Sequence, residues 1–242
     1  MNLTIDIGNT RIKSALFAEN KLQILKTHDS FELLLADTEF ISKAKKAIIC
    51  SVVDGLESYI EKLNQKIPTY IFQSDTQIPI KNLYQSAGTL GSDRLAAAIG
   101  GFYLYPNHDV LTIDAGTCIK YNFTNNKNEY LGGAISPGIQ MRFKSLQIFT
   151  SKLPLVEPDL VFTDLIGTNT KNSIVSGVLN GAVAEVDGII NRYKSQYPEI
   201  LILLTGGDSE YLAKRLKNSI FTHQNLVLKG LNTILNYNLE LK

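Results

Sequence analysis

Two short stretches carry residue types able to hold phosphate and a metal ion. Leu3-Thr-Ile-Asp-Ile-Gly-Asn-Thr10 and Leu111-Thr-Ile-Asp-Ala-Gly-Thr117 each run from apolar and β-branched residues into an Asp, one spacer, a Gly and a hydroxyl side chain. The likeness continues beyond the turn, with Arg11-Ile-Lys13 after the first and Cys118-Ile-Lys120 after the second, once Asn9 is taken as an insertion. Asp6 and Asp114 are thereby equivalent. A carboxylate at a strand end projects into the mouth of the following turn, where it can hold a hydrated cation. The free N–H groups of the turn, with Asn9, Thr10 and Thr117, can meet phosphate oxygens. Gly8 and Gly116 allow the close backbone approach such a turn needs. One Asp-x-Gly is an ordinary β-turn. Two copies with matching flanks, one in each half of the chain, point to paired hairpins that would hold a nucleoside triphosphate and its metal between two related domains.

A third group lies between them. Gly91-Ser-Asp-Arg94 opens a strongly helical run of small apolar residues to Gly101. Ser92 or Asp93 can be a plain helix N-cap. Alternatively, Asp93 presents a carboxylate to a substrate hydroxyl and Arg94 takes an anionic group of the same substrate. Tyr84, in a long polar loop over residues 73–92, can line a pocket or simply pack. Gly132-Gly-Ala-Ile-Ser-Pro-Gly138 can approach phosphates or form a tight helix entry. Thr168 and Thr170 precede a long helix, as caps or as substrate contacts. Thr205-Gly-Gly207 ends a buried strand, as a seat for a flat base or as a helix start.

The elements that must position these residues follow from hydrophobic periodicity. Strands are expected over 2–8, 11–18 and 21–27, an antiparallel meander, and Ser30 is set to cap a short helix. A doubly buried strand over 47–53, a helix over 56–63 and a strand over 69–72 complete the first half. A turn cluster at Tyr105-Pro-Asn-His108 marks the domain boundary. The meander then repeats over 111–117, 120–124 and 129–133. A helix through 141–149, a loop over 151–164, a helix over 172–193 and a strand over 199–205 follow. A helix over 211–216, a short strand over 226–228 and a final helix over 231–239 close the chain.

Composition narrows the function class. The 242 residues are 44% hydrophobic and 19% charged, with a formal net charge of +1. That suits a globular protein with a sizeable core and gives no basic excess for nucleic acid or anionic membranes. Cys50 and Cys118 sit in apolar runs and read as small buried residues, and the three histidines are scattered. No run is read as long enough to span a bilayer and no leader is read at the N-terminus, so a cytoplasmic location is the default.

Taken together, these motifs resemble the superfamily of acetate and sugar kinases, actin and heat-shock chaperones, and within it the type III pantothenate kinases. The first and second hairpins are common to the superfamily; the Gly91-to-Arg94 tetrad in this order and spacing carries the closer match. The resemblance implies an α/β fold of two duplicated RNase-H-like (actin-like ATPase) domains, each a mixed five-stranded sheet flanked by helices. Residues 1–107 would hold the first phosphate loop and the catalytic Asp, and 108–242 the second loop and the adenosine site. The implied activity is ATP-dependent phosphorylation of pantothenate to 4'-phosphopantothenate, entering coenzyme A biosynthesis. It implies ATP contacts at Asp6, Ile7, Gly8, Asn9, Thr10, Arg11, Ile12, Lys13 and Thr117, with Mg2+ held by Asp6 through water. Asp93 resembles the general base. Tyr84, Gly91, Ser92, Asp93, Arg94 and Thr170 resemble the pantothenate site, and Asp114 the place of a monovalent cation, K+ or NH4+. A homodimer is implied. Two rivals stand beside this reading: another small-molecule kinase of the superfamily, and a non-catalytic nucleotide-binding regulatory protein.

Overall fold

The computed structural model describes residues 1–241 and divides into two compact units. The first comprises Met1–His108, Asn122–Gly132 and the segment from Asn225 onward; the second comprises Asp109–Tyr121 and Gly133–Gln224. The last segment therefore belongs with the first unit, which a division of the chain at residue 107 separates from it.

In the first unit, β1 (Asn2–Ile7), β2 (Ile12–Ala18) and β3 (Lys21–His28) form the expected meander. Helices α1 (Phe31–Ala36) and α2 (Thr38–Ser42) follow, with Ser30 accepting from the Leu33 N–H as the cap of α1. Then come β4 (Lys46–Ser51), α3 (Glu57–Lys66) and β5 (Thr69–Ile71). The sheet order is β3-β2-β1-β4-β5, antiparallel through the meander and parallel from β1 to β4 to β5. Both faces are covered. Leu3, Ile5, Ile7, Ile12 and Leu16 pack on α1, α2 and α3, whereas Ala15, Phe17, Ile48 and Cys50 face the other layer. This is why β1, β2 and β4 read as nearly continuous apolar runs. The strand expected over 47–53 stops at Ser51, and Val52 and Val53 are exposed.

The second layer of that unit is a pair of helices, α4 (Ser92–Leu104) and, at the end of the chain, α8 (Leu226–Glu240). Residues 226–228, read as a strand, form the first turn of α8. Their apolar side chains and the small residues Gly100 and Gly230 serve a tight helix crossing. A Cβ on Gly230 would lie 1.8 Å from the Ala96 carbonyl oxygen, and one on Gly100 would lie 2.3 Å from that of Leu226. The polar loop over 73–92 contains a short strand, β6 (Lys81–Asn82).

The remaining strands are β7 (Val110–Ala115), β8 (Cys118–Thr124), β9 (Glu129–Pro137), β10 (Leu201–Thr205) and β11 (Phe221–Thr222). Their sheet runs β11-β10-β7-β8-β9-β6. Its first five strands repeat the order of the first sheet. The sixth, β6, adds to β9 in parallel, pairing Lys81 with Glu129 and Asn82 with Tyr130, so this sheet has one strand more than the five expected.

The helices of the second unit are α5 (Ile139–Ile148), α6 (Thr170–Gln196) and α7 (Ser209–Ala213). Ile139 and Phe143 of α5 pack against Ile174, Val175, Val178 and Leu179 of α6. Helix α6 has 27 residues and is long and apolar enough by composition to cross a membrane. The sequence reading found no such run. Its apolar stripe is buried in the unit's own core, as in a core helix of a globular protein.

Candidate active site

The first hairpin is built by β1 and β2. Ile7 and Ile12 are cross-strand partners buried in the core, so they anchor the turn while Asn9, Thr10 and Arg11 are left exposed at its tip. The Gly8 N–H donates to the Arg11 carbonyl over 3.2 Å and closes it. Asp6 alternates onto the opposite face from Ile5 and Ile7. It stands across from Lys13 on β2 and from Cys50 on β4. The buried Cys50 thiol donates to Asp6 Oδ1 over 3.4 Å. A half-buried carboxylate at a strand end fits a magnesium ion, which takes oxygen ligands and keeps several waters.

The start of α4 is capped by backbone rather than by a hydroxyl or carboxylate. Gly91 is the N-cap and no side-chain cap bond is made there. Ser92 instead donates from its hydroxyl to the Ser51 carbonyl over 3.4 Å, tying α4 to the end of β4. Asp93 Oδ1 accepts from the Arg94 N–H at 2.8 Å. A Cβ on residue 91 would lie 2.7 Å from that oxygen, so glycine is required for Asp93 to keep this position. The plain-cap reading of Ser92 or Asp93 is thereby set aside. A cavity of about 460 Å3 opens beside them, with Ser51, Asn82, Thr89, Gly91, Ser92 and Leu95 in its wall.

Arg94 points into the first unit and is only 5% exposed. Its Nε donates to Asn122 Oδ1 at 3.0 Å, and the Tyr130 hydroxyl donates to the same oxygen at 3.1 Å. The guanidinium carbon lies 5.7 Å from the Tyr84 ring centroid, and the Tyr84 and Tyr130 rings are 6.2 Å apart. Arg94 Nη2 and Asn122 Nδ2 are buried without a hydrogen-bond partner. A buried donor without an acceptor is costly, and a guanidinium nitrogen is best satisfied by a carboxylate. Tyr84 is set by its N–H bond to Asn82 Oδ1 at 3.0 Å, and its ring covers Gly132. Gly132 has φ +110°, and a Cβ there would come 3.0 Å from the ring. Tyr84 and Gly91 to Arg94 thus share one unit. Asn122 and Tyr130 escaped the sequence reading. An amide between Tyr121 and Phe123, in mid-strand, was the available signal.

The second hairpin belongs to the second unit. The Gly116 N–H donates to the Cys118 carbonyl at 3.0 Å, and Thr117 is exposed at the tip. The Gly138 N–H donates to the Thr117 carbonyl at 3.1 Å, and a Cβ on Gly138 would lie 2.0 Å from the Gly116 oxygen. Gly138 therefore lets the start of α5 rest on the hairpin. On the other side, the Asp208 N–H donates to the Ala115 carbonyl at 3.0 Å. Gly206, at φ +97°, would place a Cβ 2.1 Å from that same oxygen. The glycine-rich turn after β10 is thereby seated against the hairpin. Burial pushes the Asp208 carboxyl above its ordinary pKa.

Asp114 Oδ2 is 2.8 Å from Lys120 Nζ, with the two side chains 15% and 20% exposed. The equivalent carboxylate of the first hairpin faces Lys13. An ammonium on that oxygen repels a second cation, so these residues do not fit a bound K+ or NH4+ there. Thr170 is the exposed first residue of α6, and the cap is Asn169, whose side chain accepts from the Asn172 N–H at 2.9 Å. Thr170 lines a cavity of about 650 Å3 in the second unit, with Arg142, Ser145, Leu153 and Ile174. Arg142, in that cavity's wall, donates from Nη2 to Glu185 Oε2 at 2.6 Å, while Ser136 and Tyr121 donate to Oε1. No cluster of three or more His, Cys, Asp or Glu side chains suited to a metal occurs among the described residues.

A profile of the type III pantothenate kinase family matches residues 2–192. The chain is 44% identical over 242 residues to a type III pantothenate kinase of Christiangramia forsetii, covering 98% of this chain and 99% of that protein. It is 43% identical over 241 residues to one of Bacteroides fragilis, covering 98% of each. Among solved structures it resembles a Baf family protein of Campylobacter jejuni, with TM-score 0.64, 24% identity and coverage of 98% and 99% of the two chains. It also resembles a ROK family glucokinase of Streptomyces griseus, with TM-score 0.53, 12% identity and 98% of each chain covered. At such identities these structural likenesses establish the fold, that of the actin-like ATPases and sugar kinases.

Proposed function

The chain belongs to the type III pantothenate kinase family, and on that premise we propose how its own residues phosphorylate pantothenate with ATP, the first step of coenzyme A biosynthesis. The observation that carries the residue assignment is the buried Arg94 with an unpartnered Nη2, one residue from Asp93 at the start of α4. Arg94 takes the pantothenate carboxylate, with the Tyr84 ring against its guanidinium and the Gly91–Ser92 backbone alongside. Asp93 orients the primary hydroxyl and accepts its proton as the oxygen attacks the γ-phosphorus in line. Phosphoryl transfer passes through a loose transition state, so positioning and charge neutralisation carry most of the rate.

The turn from Asp6 to Lys13 meets the ATP phosphates through its N–H groups and the side chains of Asn9, Thr10 and Lys13. Thr117 adds a contact from the second hairpin, and Thr170 a contact to pantothenate. Asp6 would hold magnesium through water, and the ion would supply charge neutralisation at the phosphates. Potassium or ammonium, which the resemblance also implies at Asp114, meets the Lys120 ammonium there, and no step of this mechanism runs through it.

A homodimer is part of the proposal. Supporting it, the second unit leaves Phe149 83%, Val161 86%, Leu165 79% and Ile166 78% exposed, large apolar side chains of the kind that a partner surface covers. A cytoplasmic location, with no nucleic-acid or membrane partner, completes the reading.

The test is ADP release from ATP and magnesium with and without pantothenate. Release that requires pantothenate supports the proposal. Release driven equally by a sugar or a short hydroxy acid would assign a different acceptor, and slow release independent of any acceptor would favour a nucleotide switch.

A further inference from the structure

We propose that Lys120 supplies, from within the chain, the positive charge that a bound monovalent cation would otherwise bring to Asp114, so that catalysis by this protein is independent of such cations. The inference rests on the phosphate-binding reading of the second hairpin. Asp114 is the penultimate residue of β7 and Lys120 the third of β8, so the two stand on adjacent strands at the hairpin mouth. Lys120 Nζ approaches Asp114 Oδ2 to 2.8 Å, and both side chains are largely withdrawn from water. The Asp114 backbone is in turn paired with Thr205 of β10, which leads into the glycine turn seated on Ala115. The carboxylate is therefore held firmly, and its countercharge is already in place.

A lysine ammonium is a compact point charge with three donors, close in size to a free ammonium or potassium ion. Held on Asp114, it neutralises that carboxylate directly. Unlike a dissolved ion, it is present at every ionic composition. The first hairpin repeats the arrangement at sequence level, with Lys13 on the return strand opposite Asp6. Duplication thus supplies one lysine per hairpin, Lys13 in the first and Lys120 in the second.

The experiment compares the full-length protein and Lys120→Met, with ATP, magnesium and pantothenate, in buffers whose only monovalent cation is choline, sodium, potassium or ammonium. Wild-type turnover should agree within about twofold across all four. Lys120→Met should lose at least tenfold in choline and regain much of that loss in potassium or ammonium. Thermal midpoints are measured in the same buffers: potassium should raise that of Lys120→Met relative to choline and leave that of the wild type unchanged.

Wild-type stimulation of tenfold or more by potassium would overturn the proposal, and needs no variant to fold. So would a Lys120→Met enzyme of full activity in choline. If neither protein turns over pantothenate in any buffer, the kinase reading fails instead, and the midpoints alone decide whether Lys120 excludes the ion.

Discussion

Arg94 and Asn122 meet across 3.0 Å, the guanidinium Nε donating to the amide Oδ1, and this bond joins the first turn of α4 to the middle of β8. Tyr130 donates to the same oxygen. The guanidinium is thereby fixed through Nε, and Nη2 is the donor left for an incoming anion. Asn122 thus orients Arg94 without any exposure of its own. In Asn122→Leu the apparent KM for pantothenate should rise roughly 10- to 100-fold, the range set by losing a hydrogen bond to a charged group. The turnover number should change far less. A fall in turnover at constant KM would show that Asn122 does not position Arg94.

Arg94→Met keeps much of the stem and removes the charge and the fork. Its KM for pantothenate should rise by at least the amount seen in Asn122→Leu, with little effect on the KM for ATP. An uncharged amide analogue of pantothenate should distinguish wild type from variant much less. Equal losses for both acceptors would refute a carboxylate partner.

Asp93→Asn preserves shape and removes the base. Turnover should fall about 10²–10⁴-fold, the usual contribution of general base catalysis, while ATP affinity by calorimetry stays close to wild type. Turnover within a few-fold of wild type would remove Asp93 from that role.

Two glycines of the helices should respond in opposite senses. Gly230→Val drives a side chain into the Ala96 carbonyl and should cost at least the usual ~1–3 kcal/mol of overpacking, read as a lower midpoint in urea. Gly188, in α6, has open space where a Cβ would go, so Gly188→Ala should gain about 0.5–1 kcal/mol. If Gly230→Val left the midpoint unchanged or raised it, the close crossing of α4 and α8 would be wrong; a lower midpoint for Gly188→Ala would show that its site is not open.

Glu185 links acid stability to the second unit. Burial by itself raises its carboxyl, but hydrogen bonds from Ser136, Arg142 and Tyr121 outweigh that and hold it below the ordinary value of 4.5. A carboxylate depressed in the folded state stabilises the fold above its unfolded pKa and loses that contribution as pH falls through the folded one. Arg142→Met should therefore cost about 1–3 kcal/mol at pH 7 and progressively less below pH 4.5. Urea unfolding at pH 7 and pH 3 checks this. An unchanged difference at pH 3 would mean the pair contributes by packing alone.

The local part of this protein is written in its sequence. Both hairpins, the meander around each, the helix after Asp93 and the long helix after Thr170 follow from periodicity, glycine and turn chemistry, because neighbouring residues decide them. Three features depended on partners distant in the chain. Residues 226–228 read as a strand because three consecutive apolar residues have no period; packing on α4 makes them a helical turn. The loop over 73–92 contains β6 only because the edge of β9 offers it unpaired backbone groups. Asn122 and Lys120 look like ordinary polar residues of a strand until the fold sets one against Arg94 and the other against Asp114. Charge, hydrogen bonding and desolvation act over a few ångströms of space, so the types of residue at this site were legible in the chain, and their pairing was decided by tertiary structure.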